Sequence, residues 1–205
     1  MGTIARGTKA GGGTNLNSGQ TADPAEVNTD FNTIYTEFNG NIANANVLAA
    51  AAIAMSKLAN IGARVYNSAN ISIADATATA LTFDSERYDT DGFHSVATNT
   101  DRLTVPTGMA GQYLIVGHVV IVAGADYSSV GLQIYLNGAT IINNIEMSPS
   151  TFSTNPVLTV ATIYDLAAAD YVTLRVYQDN TANAARNVLL SANQSPEFAI
   201  AILGT

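Results

Sequence analysis

Two stretches of this chain are apolar on both faces of the strand they would form, and this constrains the fold more than any other feature. In residues 113–122, one side of an extended chain carries Leu114, Val116, Val120 and Val122, and the other carries Tyr113, Ile115, Val119 and Ile121. Residues 198–203, Phe-Ala-Ile-Ala-Ile-Leu, behave alike. Successive side chains of a strand point to opposite faces, and a two-layer sandwich buries only one face of each sheet. A strand oily on both sides needs a third layer, because a bare apolar face of that size exceeds what monomers usually expose. No helical pattern follows residue 60, so another copy of the chain is expected to supply the layer. On this reading Tyr113, Ile115, Val119, Ile121, Phe198, Ile200 and Ile202 form a subunit interface.

Composition bears on the same point. Only 12% of the 205 residues are charged, against roughly 25% in ordinary soluble domains. Either uncharged surface is buried between subunits, or a surface rich in Asn, Thr and Ser stays soluble without charge. The net charge is −8, and no window clusters cations. That argues against nucleic-acid binding driven by counterion release and disfavours anionic membranes. Cysteine is absent, which removes disulfides and thiolate zinc sites. Residues 1–20 pass from Arg6 and Lys9 into Gly-Gly-Gly-Thr-Asn rather than an apolar run, so no secretory signal is expected. The apolar stretch 47–55 is too short to span a bilayer, and no membrane insertion is expected. A protein made without an export signal still acts outside the cell when lysis releases it inside a particle.

Three regions differ in pattern. Residues 1–22 are rich in Gly, Thr and Asn and read as an extended arm. Residues 23–62 read as a helical anchor or collar. Asp23-Pro24-Ala25-Glu26 is a helix start, with Asp at N-cap, Pro at N1 and Glu at N3. Val27, Phe31, Ile34, Phe38 and Ile42 then follow at spacings of three or four, giving one apolar stripe. An alanine-rich segment over 47–58 continues it. The stripe fits a parallel trimer around an axis, or a two-helix hairpin folded back on its own domain. Residues 63–205 read as β throughout, with strands expected at 64–67, 80–84, 102–105, 113–122, 130–136, 140–142, 159–166, 171–177 and 198–203. Asn137-Gly138, between two apolar runs, is the strongest hairpin signal.

The β region resembles the C1q/tumour-necrosis-factor jelly-roll family. The likeness rests on Arg102-Leu103-Thr104-Val105-Pro106 followed by Gly111-Gln112-Tyr113-Leu114-Ile115, and on 132–136 with Asn137-Gly138. It rests also on Leu166-Ala167-Ala168-Ala169-Asp170-Tyr171-Val172-Thr173-Leu174 and on the C-terminal run 198–203. Ala169 stands where the family usually has Gly. The resemblance implies a mainly β, antiparallel jelly-roll sandwich, a threefold homotrimer and loops that bind at the apex or sides. The N-terminal region is similar to the attachment end of tailed-bacteriophage fibre proteins. The residues concerned are Ala25-Glu26-Val27-Asn28, Phe31-Asn32, Ile42, Asn46-Val47 and Ile53-Ala54-Met55-Ser56-Lys57-Leu58. That similarity implies docking on a virion through Val27, Phe31, Ile34, Phe38 and Ile42, with other virion proteins of the capsid, neck or tail as partners.

Little in the sequence points to catalysis. His118 lies on an expected strand and His94 in a polar loop, with no Gly-x-Ser-x-Gly elbow, so no enzyme is expected. Gly11-Gly12-Gly13-Thr14 lacks the Lys and flanking strand of a phosphate cradle. The acidic segment holding Asp84, Asp89 and Asp91 is either salt-bridged by Arg87 and Arg102, a solvated loop, or a Ca²⁺ loop; no other cofactor is expected. Tyr127, Tyr135, Phe152 and Tyr177 are expected at the surface, where aromatic faces suit sugars or pack between subunits. The expectation is a structural virion protein: a homotrimeric fibre or spike whose head adheres to a host glycan or protein, or a decoration protein that cements the capsid. A C1q-like ligand is a third, weaker reading.

Overall fold

The computed structural model describes Asn28, Phe31, Asn32, Tyr35 and residues 61–148, 152–194 and 196–204. The chain divides into two units, Met1–Leu58 and Ala59–Thr205. In the first, the described residues are helical, and Phe31 and Tyr35 are exposed. Of the expected docking stripe, Val27, Ile34, Phe38 and Ile42 lie outside the described residues. No helix among the described residues is long and apolar enough to cross a membrane.

The second unit is antiparallel β. One five-stranded sheet joins β4 (Ser85–Asp89), β1 (Gly62–Tyr66), β12 (Glu197–Gly204), β6 (Gly111–Val120) and β9 (Val157–Leu166) in that order. The other runs β3 (Thr79–Ala80), β10 (Tyr171–Asn180), β7 (Tyr127–Leu136) and β8 (Thr140–Met147), with β5 (Arg102–Thr104) also on β10. A short ribbon pairs β2 (Ile71–Ile73) with β11 (Arg186–Val188). Alternation sorts the side chains: Val65, Tyr113, Ile115, Val119, Leu158, Phe198 and Ile200 meet Leu103, Leu132, Ile134, Val172, Leu174 and Val176 in one core.

Segment 80–84, expected as a strand, pairs only through Thr79–Ala80. Leu81 and Phe83 nevertheless enter the core, with their N–H groups donating to the Leu174 and Thr100 carbonyls. The acidic segment read as a loop contains the edge strand β4, paired with β1. Charge is a common device for protecting an edge strand, so acids there mimic loop composition.

Turn chemistry closes the hairpins. Asn137 and Gly138 have φ of 50° and 71°, the type I′ geometry expected of Asn-Gly. Asn137 also links two hairpins: its Nδ2 donates to Asp170 Oδ1, and its Oδ1 accepts from the Tyr171 N–H. In the Asp170 turn, Ala169 takes φ 70°, a left-handed conformation that penalises any Cβ. Ala169→Gly is therefore expected to stabilise the fold by roughly 0.5–1 kcal/mol, read as a higher urea midpoint at unchanged slope.

Candidate subunit interface

The side of the first sheet turned away from the core is apolar over much of its area. Cross-strand pairing places Gly62, Ala201, Leu114 and Ile163 in one row, and Arg64, Ala199, Val116 and Ala161 in the next. Val157 lies opposite Val120 further along. Leu114 is 36% exposed, Val157 56% and Ile163 60%. A second apolar patch follows the sandwich edge where β8 and β9 run side by side, tied by the Asn143 Nδ2 bond to the Ala161 carbonyl at 2.7 Å. It presents Ile141, Ile145 and Tyr164.

The sequence reading placed Tyr113, Ile115, Val119, Ile121, Phe198, Ile200 and Ile202 at the interface. The structure corrects this. The first six are buried within their own sandwich, and Ile202 packs half-buried against the same core. The cause is volume. Phe198, Ile200 and Tyr113 are the bulky members of their strands and fill the space between sheets, which leaves Ala199, Ala201, Leu114 and Val116 on the opposite row. Both rows are apolar, and the larger one takes the interior.

The uncovered face ends in a polar corner. Glu197 is buried, with Oε2 accepting from Arg64 Nε and Oε1 from Arg87 Nη2 at 2.8 Å. In the same row, His118 Nδ1 lies 2.6 Å from Thr159 Oγ1. Arg64, His118, Glu197, Asn193 and Val157 line a concavity of about 540 Å³.

No family model matches the chain, and no curated protein does. Among solved structures, murine APRIL at pH 5.0 is similar at 12% identity and a TM-score of 0.53, covering 71% of this chain and 100% of that one. Murine APRIL at pH 8.5 is similar at 13% identity and 0.52, with the same coverage. Eiger TNF from S. frugiperda is similar at 16% identity and 0.48, covering 71% of this chain and 93% of that one. The fold is a TNF-like jelly roll. That is the architecture which the strand and turn motifs led one to expect, and the similarity concerns the fold alone.

The other expected sites fare differently within this jelly roll. Tyr127, expected outside, is buried; its hydroxyl donates to the Val122 carbonyl and its ring meets Phe152 edge-on at 5.6 Å. Burial pushes the Tyr127 hydroxyl above its ordinary pKa of 10.0, against the nearby Arg186. Phe152 packs on the core rather than standing free. Tyr135 stays half-buried on the outward face of the second sheet, and Tyr177 shares that face.

Of the acidic residues expected to bind Ca²⁺, Asp84 and Asp89 accept local hydrogen bonds, while Asp91 lies exposed beside them. Asp89 Oδ1 accepts the N–H groups of Asp91, Gly92 and Phe93, and Oδ2 that of His94. Asp84 accepts from the Ser68 N–H and the Ser68 and Ser85 hydroxyls. Burial alone would raise the Asp84 pKa, but these donors outweigh it and hold the carboxyl below its ordinary 3.8. No group of three His, Asp or Glu residues suited to a metal occurs among the described residues. Neither Ca²⁺ nor EDTA is expected to shift the melting temperature, which differential scanning calorimetry tests directly.

His94 was read as part of a polar loop. Its ring is instead fully buried, with Nδ1 2.9 Å from Glu86 Oε1 and Nε2 facing the Thr100 carbonyl. Asp89, which gathers the N–H groups of Asp91, Gly92, Phe93 and His94, fixes the turn from which Phe93 and His94 enter the interior. A carboxylate four to five residues ahead of two rings was the available signal.

Proposed function

We propose that this chain is a non-enzymatic structural protein of a tailed bacteriophage: a homotrimer docked on the virion through its N-terminal region, with the jelly roll displayed for adhesion to the host surface. The observation that carries the oligomer is a pair of adjoining outward rows, Ala201, Leu114 and Ile163 in one and Ala199, Val116 and Ala161 in the other, with Leu114 and Ile163 exposed. Two unlike apolar patches, one on a sheet face and one on the sandwich edge, favour a heterologous contact. A heterologous contact closes into a ring when the rotation between copies permits. Three copies are favoured by the implication of the C1q/TNF resemblance. The virion assignment is supported by the fibre-like pattern of residues 25–58, and it places the protein outside the host once the particle is released.

Light scattering of the purified chain is expected to give the mass of three chains of 21.3 kDa each, and gold-labelled antibody is expected to mark tail or fibre tips on intact particles. Labelling spread over the shell would replace adhesion by capsid decoration. Particles free of label, made in cells expressing the chain, would end the virion reading.

A further inference from the structure

The outward side of β9 reads Val157, Thr159, Ala161 and Ile163, all of them exposed. Its two ends are the bare ones, Val157 at 56% and Ile163 at 60% exposure. A neighbouring copy that covers both ends covers the middle as well. The middle holds Thr159, whose Oγ1 lies 2.6 Å from His118 Nδ1. His118 itself stands half-buried on β6, in the row between those of Val116 and Val120. The chain has two histidines, and the other, His94, is shut inside its own subunit. His118 is therefore the histidine that an assembly through this face would enclose.

The charges around the ring already lean positive. Pairing sets Glu197 of β12 beside His118, but Glu197 Oε2 is taken by Arg64 of β1 and Oε1 by Arg87 of β4. Two guanidinia thus share one carboxylate. β9 brings Thr159 and Val157, and the segment before β12 brings Asn193 and Gln194, none of them charged. A protonated His118 finds no free anion in this corner. While the face is open, water and salt screen the surplus charge. Once an apolar surface covers it, an unpaired imidazolium is costly and a neutral imidazole is not. Imidazole is the side chain whose charge ordinarily changes between about pH 5 and 8.

We propose that His118 makes assembly through this face acid-sensitive: the copies hold together with neutral imidazoles and part when the rings gain protons. The inference rests on the reading of this face as the subunit interface. Assembly selects the neutral ring, so its stability is fully present at the higher pH and is lost as the pH falls. A trimer carries three such rings. Where each takes up a proton on release, one pH unit changes the association constant by up to about a thousandfold, tenfold for each ring.

Sedimentation velocity of the full chain at about pH 7.5 and about pH 5.5, above the range in which ordinary carboxylates titrate, tests this. The native trimer is expected to half-dissociate at a concentration at least about tenfold higher at the lower pH, reversibly and with an unchanged strand signal in circular dichroism. His118→Gln keeps a hydrogen-bonding group beside Thr159 but has no charge to gain, and it is expected to be trimeric and equally tight at both. His118→Arg carries a fixed charge and is expected to be a folded monomer at both. Where His118→Arg fails to fold, the contrast between the native chain and His118→Gln decides alone. A native trimer equally tight at both pH values overturns the proposal. So does a His118→Gln chain that loosens in acid as the native chain does, or one already monomeric at pH 7.5, or a folded His118→Arg trimer. A native chain that is monomeric at both pH values overturns the interface reading itself.

Discussion

Leu114→Asp is expected to yield a folded monomer: light scattering gives the mass of one chain, and far-ultraviolet circular dichroism keeps the native strand signal. Leu114 stands in the outward row between Ala201 and Ile163, and it is 36% exposed in the isolated chain. Its side chain adds nothing to the core, so the substitution costs the lone subunit little. In an assembled ring the carboxylate would be shut against an apolar surface, where burying an unpaired charge is far costlier than any single apolar contact repays. The penalty recurs once per copy. Arg64, in the adjoining row, is already committed to Glu197 and cannot neutralise a new acid without abandoning a buried one. A native chain that is monomeric at micromolar concentration, or a Leu114→Asp chain that stays trimeric, removes the proposed interface.

Much of the jelly roll is legible in the sequence. The Asn137-Gly138 hairpin declared its turn type, because two consecutive positive φ angles suit few other pairs. Long strands such as β6, β7 and β10 stood out through residues that pack on a pleated surface. Short strands did not: Ile71–Ile73 and Arg186–Val188 give three residues each, too few for alternation to declare itself. The candidate interface was half legible. β6 and β12 are apolar on both sides, and hydropathy alone does not say which row is interior. Side-chain size does, since Phe198 and Ile200 alternate with Ala199 and Ala201.

Phe198→Ala should therefore act opposite to a change at its neighbour Ala199 or at Leu114: it is expected to destroy the subunit rather than the assembly. Phe198 is fully buried, and its ring stacks on Phe83 with centroids 5.9 Å apart. In register it faces Gly117, where an added Cβ would come within 2.3 Å of Leu174 Cδ1 from the other sheet. Gly117 thus makes room for Leu174 and contributes no side chain of its own to close a gap beside it. Truncating a buried Phe costs about 3–5 kcal/mol, and more where the surroundings fail to collapse. That is a large part of the roughly 5–15 kcal/mol that holds a typical domain together. Because oligomer stability depends on protein concentration, the comparison belongs in the monomeric Leu114→Asp background, by urea unfolding with and without Phe198→Ala. A midpoint that falls steeply there assigns Phe198 to the interior of one chain. An unchanged midpoint, with loss of trimer only in the native background, would return Phe198 to the interface and reverse the assignment of the two rows of β12.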